Sequence, residues 1–241
     1  MIPGPVPAAA TVTGMAARLG AIRLRMAEAC ARTGRPASDV ALLPVSKTFG
    51  ADAVRDALAL GLHRFGENKT REIAQKAPVL ADQAPEWVMI GHLQTNKAKD
   101  AARLVAEVQS LDRLELAQAL DRRLQHEGRA IDVLVQVKTS PEPSKFGLAP
   151  EELPAFLKQV AGLDTLRVRG LMTMAVNSSD EQAVRACFRQ LRAWRDRLRG
   201  EGADDLARLS MGMSGDFELA IEEGSTEVRI GSALFGQRTY P

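Results

Sequence analysis

Lys47 closes the apolar run Val40-Ala41-Leu42-Leu43-Pro44-Val45-Ser46, just before the turn Phe49-Gly50-Ala51. A run of this kind reads as a buried strand, and such strands usually give way to Gly, Asn or Asp. A long amine stands there instead. At the carboxyl end of a barrel strand, among apolar walls, an amine loses hydration and its neutral, nucleophilic form becomes easier to reach. The chemistry that uses such a group is imine formation with an aldehyde or ketone. The competing reading is a surface lysine capping a strand, since exposed lysines far outnumber reactive ones.

Two further segments suit an oxyanion. Ser210-Met211-Gly212-Met213-Ser214-Gly215-Asp216 leads into a helical pattern, and Arg229-Ile230-Gly231-Ser232-Ala233 repeats the Gly and Ser pairing. Hydroxyls, glycines that let backbone approach, and N–H groups at a helix start together favour phosphate. Either segment alone reads equally as an N-capped turn. A carbonyl-trapping amine beside a phosphate cradle fits pyridoxal 5′-phosphate (PLP), an aldehyde that carries a phosphate. A Schiff-base aldolase acting on a sugar phosphate would use the same two parts. The residues alone do not choose.

These groups need a scaffold that brings several strand ends to one pocket. Met15, Leu19, Ile22, Met26 and Cys30 recur at helical spacing over residues 13–33, a leading helix closed by Gly34 and Pro36. Beyond it, strand patterns end at Lys47 and then span 63–68, 87–93, 107–111, 131–137, 167–174, 208–211 and 227–234. Helical patterns alternate with them over 52–60, up to Lys76, 96–106, 113–127, from Pro150, 181–199 and 217–223. Eight such units without a composition break predict the α/β class, a (β/α)8 TIM barrel. One domain covers 13–241, with the leading helix plugging or flanking the bottom. Residues 1–12, broken by Pro3, Pro5 and Pro7, read as a flexible tail. In this fold phosphate commonly sits after strands seven and eight, where the two Gly and Ser segments fall. The stretch 138–147 is long and polar for a strand-to-helix connection, the mark of a functional loop.

Composition narrows the classes. With 241 residues, 45% hydrophobic and 26% charged, the chain reads as an ordinary globular protein. A net charge of +2, with arginines spread along helix faces such as 185–199, predicts no nucleic-acid or acidic-membrane partner. No apolar run reaches membrane-span length, and the start lacks a cationic signal pattern, so a cytoplasmic location is expected. Cys30 and Cys187 read as reduced core residues. His63, His92 and His126 lack ligand spacing, so no metal is expected. His92 lies either at the pocket mouth or in a structural role, and Met172 and Met174 read as barrel packing.

The blocks PVSKTF at 44–49, FGEN at 65–68, IGHLQTNK at 90–97, SKFGL at 144–148, GLMTMA at 170–175, LSMGMSGDFELAI at 209–221 and GSTEVRIGSALFG at 224–236 carry a resemblance. The chain resembles the pyridoxal phosphate homeostasis protein family, whose barrel is similar to the N-terminal domain of alanine racemase. The likeness covers nearly everything after residue 36; Lys138-Thr139 departs from it where Asn before Ser/Thr is expected. It implies that Lys47 holds PLP as a covalent aldimine. It further implies that Ser210, Gly231 and Ser232 hold the phosphate, with Met211 and Ser214 supporting that loop, and that Asn68 lies near the ring. Arg229 matches the arginine facing the pyridine nitrogen. A guanidinium does not give up its proton, so it leaves that nitrogen unprotonated and the ring a weak electron sink. A rim salt bridge to Glu227 or Glu67 is the competing role for Arg229.

The implied function is cytoplasmic PLP homeostasis, buffering or carrying the cofactor, by a monomer without catalytic residues. Amino acids and PLP-dependent apoenzymes are the expected further partners. The main rival is a PLP-dependent racemase or decarboxylase. Racemisation needs a second acid/base on the opposite face, which alanine racemases draw from a separate β domain. Here the eighth strand is followed closely by Pro241, and the only tyrosine, Tyr240, stands in the terminal tail.

Overall fold

The computed structural model describes residues 8–236, so the first part of the expected tail, 1–7, and Tyr240 lie outside the described residues. Eight parallel strands make one sheet: β1 (Ala41–Pro44), β2 (Arg64–Glu67), β3 (Glu86–Met89), β4 (Glu107–Leu111), β5 (Ile131–Gln136), β6 (Leu166–Met172), β7 (Arg208–Met213) and β8 (Glu227–Ile230). Their order, β1-β8-β7-β6-β5-β4-β3-β2, leaves β1 and β2 as the last pair to meet. A parallel bridge between Val45 and Gly66 joins them, and Ser46 N–H donates to Gly66 O at 3.1 Å. The sheet thereby curls into the expected barrel.

The helices follow in alternation: α1 (Ala8–Arg32), α2 (Ala51–Ala59), α3 (Thr70–Lys76), α4 (Ala98–Leu104), α5 (Leu114–Glu127), α6 (Leu153–Val160), α7 (Glu181–Gly200), α8 (Phe217–Glu222) and the short α9 (Ser232–Phe235). Strands covered on both faces read as continuous apolar runs, and Val133, Leu134 and Val135 are all fully buried. α7 buries Val184, Cys187, Phe188, Leu191 and Leu198 at helical spacing, and Asp180 caps it by accepting from Gln182 N–H. Cys30 and Cys187 are buried free thiols.

The leading helix is in neither expected place. It starts at Ala8 rather than near Thr13, and it packs in the outer ring against α2, α8 and α9. Among the described residues four residues of helix follow β8, too few to cover the seam between β8 and β1. α1 covers it with Met15, Leu19, Ile22, Met26 and Cys30, all buried. Arg18 Nε donates to Leu234 O at 2.6 Å, while Arg25 and Arg32 pair with Glu218 and Glu222 on α8.

The amino-terminal end of the barrel is closed by charge. Arg64 and Arg208 donate to Glu107 and Glu227, and Gln109 Nε2 donates to both carboxylates. Burial pushes the Glu227 carboxyl up, but Arg208 and Arg64 outweigh it and hold the group below its ordinary range. Desolvation pulls the Arg208 guanidinium down, and the two carboxylates more than reverse that, leaving it raised.

Candidate functional site

Lys47 does not end a strand. β1 stops at Pro44, Val45 makes the closing bridge, and Lys47 is the second residue of a tight turn in which Phe49 N–H donates to Ser46 O at 3.1 Å. Thr48, the third residue, takes φ of +69°. For a β-branched side chain this left-handed region costs about 1–2 kcal/mol. Glu72 Oε2 holds the strained residue by accepting Thr48 N–H at 2.7 Å. The lysine is partly buried and lines a cavity of about 500 Å³ at the carboxyl end of the barrel.

That cavity gathers six of the eight predicted residues: Lys47, Asn68, Ser214, Arg229, Gly231 and Ser232. Asn68 follows β2 and abuts Gly91, where a Cβ would stand 2.4 Å from Asn68 O. Only glycine lets the end of β3 come so close. Ser214 faces the start of α9, its Oγ accepting from Ala233 N–H at 3.4 Å. The first N–H groups of any helix lack partners within it, so the Ser214 and Gly231-Ser232 segments together offer hydroxyls and amides to an anion.

Ser210 and Met211 are elsewhere. β7 runs two residues further than its pattern suggests and carries a register irregularity between Ser210 and Met213, with Gly212 at φ +94°. Ser210 is therefore fully buried inside the barrel, donating to Gln109 Oε1 at 2.7 Å and accepting from Arg229 Nη1 at 2.9 Å. Met211 is fully buried and does not line the cavity. Neither is among the residues that line the cavity.

Arg229 is 4% exposed yet lines the cavity. It donates to Ser210 Oγ and, through Nη2, to Thr173 O at 2.8 Å, instead of pairing with a carboxylate as a rim arginine would. Burial pulls its guanidinium down to about 10, while Glu227 and Asp216 pull it back, so it stays charged at neutral pH. Met172 and Met174 line the same cavity.

Further groups complete the lining, and of these only Gln136 had drawn no attention in the sequence. Gln136, at the end of β5, donates from Nε2 to Phe146 O at 3.0 Å, and its buried Oε1 has no protein partner among the described residues. Ser144, Lys145 and Phe146 come from the 138–147 loop, which Glu142 ties down by accepting Asn177 N–H at 3.1 Å. His92 stacks on Phe146, ring centroids 4.1 Å apart, with its Nδ1 3.2 Å from Asp112 Oδ2, so it stands at the pocket mouth. The block IGHLQTNK carries His92 and SKFGL carries Ser144, Lys145 and Phe146, whereas Gln136 falls in none of the quoted blocks. No cluster of metal ligands and no membrane-length apolar helix occurs among the described residues.

Residues 17–239 match the family model "Alanine racemase, N-terminal domain". Pyridoxal phosphate homeostasis protein of Pseudomonas aeruginosa is 43% identical over 94% of this chain and 96% of its own, and that of Aquifex aeolicus is 41% identical over 92% and 98%. This chain belongs to the pyridoxal phosphate homeostasis protein family. PipY of Synechococcus elongatus, solved with PLP bound, is 38% identical over 88% of this chain and all of its own, with a TM-score of 0.78. Alanine racemase of Clostridium difficile shares the fold at 17% identity and a TM-score of 0.66, and this chain covers 53% of it.

Proposed function

We propose that this chain binds PLP as a Schiff base on Lys47 and serves PLP homeostasis, holding and releasing the cofactor without turnover of its own. One observation carries the reading: an amine, a buried charged guanidinium and two serine-glycine segments converge on one cavity. The residues fit the cofactor. Lys47 would supply the nitrogen that attacks the aldehyde carbon, with loss of water. Ser214, Gly231 and Ser232 would hold the phosphate, and Asn68 would lie beside the ring. Gln136 Oε1, buried and unpartnered by protein, suits a donor on the bound molecule. Ser210 and Met211 do not line the cavity and would not touch the phosphate. Ser210 instead orients Arg229 from below.

Arg229 separates a holder from an enzyme. When bound, PLP supplies an electron sink whose strength depends on a proton at its ring nitrogen. A guanidinium that stays charged offers a hydrogen bond there but no acid. Membership of the family, with PipY solved in complex with PLP, supports the same cofactor here. The expected result is a yellow protein whose visible band borohydride removes, leaving the label on the peptide that contains Lys47. A label on Lys69, Lys97 or Lys145 in its place would contradict the assignment.

A further inference from the structure

We infer that α3 clamps the backbone on both sides of Lys47, and that Glu72, Lys76 and Glu67 are positioning residues for its amine. The inference rests on Lys47 being the carbonyl-trapping group. The carbonyl of the preceding peptide, Ser46 O, accepts from Lys76 Nζ at 2.9 Å. The N–H of the following peptide, on Thr48, donates to Glu72 Oε2 at 2.7 Å. The two clamping side chains lie one helical turn apart, with Nζ and Oε2 separated by 3.8 Å. Behind them Glu67 Oε1 accepts from both Lys76 Nζ, at 2.5 Å, and Ser46 Oγ, at 2.6 Å. None of the three lines the cavity. Whatever they do to the chemistry they do through the residues that flank Lys47.

Stability alone is a weak reason for this arrangement. Lys76 is 6% exposed and Glu67 is 0% exposed, and a pair so deep spends most of its attraction on lost hydration. Burial still drives the Glu67 carboxyl above its ordinary range, against the pull of Lys76, and its Oε2 has no partner among the described residues. A clamp on a strained turn gives the cluster a purpose. Fixing the backbone on both sides fixes the point from which the long lysine side chain enters the cavity. Reactions between held groups lose as much as about a hundredfold in rate when the geometry slips by an ångström.

The test compares two ligands that differ at the reacting atom. PLP forms an imine; pyridoxine 5′-phosphate, an alcohol at that carbon, fills the same site without one. Glu72→Ala should slow imine formation by roughly ten- to a hundredfold. It should leave pyridoxine 5′-phosphate affinity nearly unchanged while lowering the melting temperature by a few degrees, as expected for one lost charged hydrogen bond. Glu72→Gln keeps an oxygen for Thr48 N–H and should restore most of the rate. Removing the buried charges together, in the pair Lys76→Met and Glu67→Gln, should repeat the Glu72→Ala pattern while avoiding an orphaned ion. An unchanged imine rate in Glu72→Ala, or equal losses for both ligands, would overturn the clamp. Failure of the underlying assignment looks different: Lys47→Ala would then keep the imine band of the unaltered chain.

Discussion

At the amino-terminal end of the barrel every carboxylate oxygen of Glu107 and Glu227 accepts from Arg64, Arg208 or Gln109. At the carboxyl end Gln136 Oε1 is buried without a partner among the described residues, and Arg229 turns a charged group toward an open cavity. Both ends bury polar chemistry, but only the first is saturated by protein. In this architecture the first end serves stability and the second serves ligands. The two are joined through the barrel axis, since Arg229 donates to Ser210, Ser210 to Gln109, and Gln109 to Glu227. The stable end thus sets the direction of the arginine at the functional end.

The comparison breaks most visibly at Glu107. Glu107→Ala takes away one of the two carboxylates that Arg64 and Arg208 share and leaves both guanidiniums on Glu227 alone. Removing one partner of a buried pair costs roughly 3–5 kcal/mol, and the low end, about 3 kcal/mol, applies because both guanidiniums keep some water. Urea unfolding of the cofactor-free chain should register that loss. Lys47→Ala, at the other end, should change unfolding by less than about 0.5 kcal/mol while abolishing the imine band.

The next effect lies in the proposed cradle. Ser214→Ala and Ser232→Ala should each weaken PLP by about 1.5–3 kcal/mol, the worth of a hydrogen bond to a charged group. Unphosphorylated pyridoxal should lose far less in the same equilibrium titrations. Ser210→Ala should affect both ligands alike, because it acts through Arg229. Equal losses for PLP and pyridoxal in the first two variants would remove these serines from the phosphate.

A smaller, graded effect should follow pH. The Glu227 carboxyl is depressed in the fold, so it contributes stability that is complete above its unfolded value, 4.5, and lost as pH falls through its folded value. Denaturant midpoints of the cofactor-free chain should therefore decline below about pH 4.5. Glu227→Gln should flatten that limb. An unchanged slope would place the acid sensitivity in other carboxylates.

The barrel was legible because strand and helix patterns alternate along the chain, most plainly at the apolar run of β5, and all eight expected strands are strands in the fold. Their ends were less so. The expected strand at 227–234 stops at Ile230, where Gly231 gives way to α9, and the one at 208–211 extends to Met213 through an irregularity that Gly212 permits. Ser210 already fell within the expected strand, and its side chain faces the barrel interior, toward Gln109 and Arg229, a facing no local pattern reveals. Lys47 stood out as an amine at the end of an apolar run. The clamp around it did not, because Ser46, Glu67, Glu72 and Lys76 meet only once β1, β2 and α3 have packed. Gln136 escaped for a similar reason: a glutamine ending a strand says nothing about which of its atoms will lack a partner.

The claim that this pocket holds PLP without turning over is tested most directly by offering the loaded protein a panel of L-amino acids. Alpha-proton exchange in deuterated water and chiral chromatography of the products would be followed, with alanine racemase as the positive control. If Arg229 faces the ring nitrogen as proposed, rates far below the roughly 1–1000 per second of ordinary enzymes are expected. Racemisation, decarboxylation or transamination near one per second on any amino acid would contradict it and make this chain an enzyme.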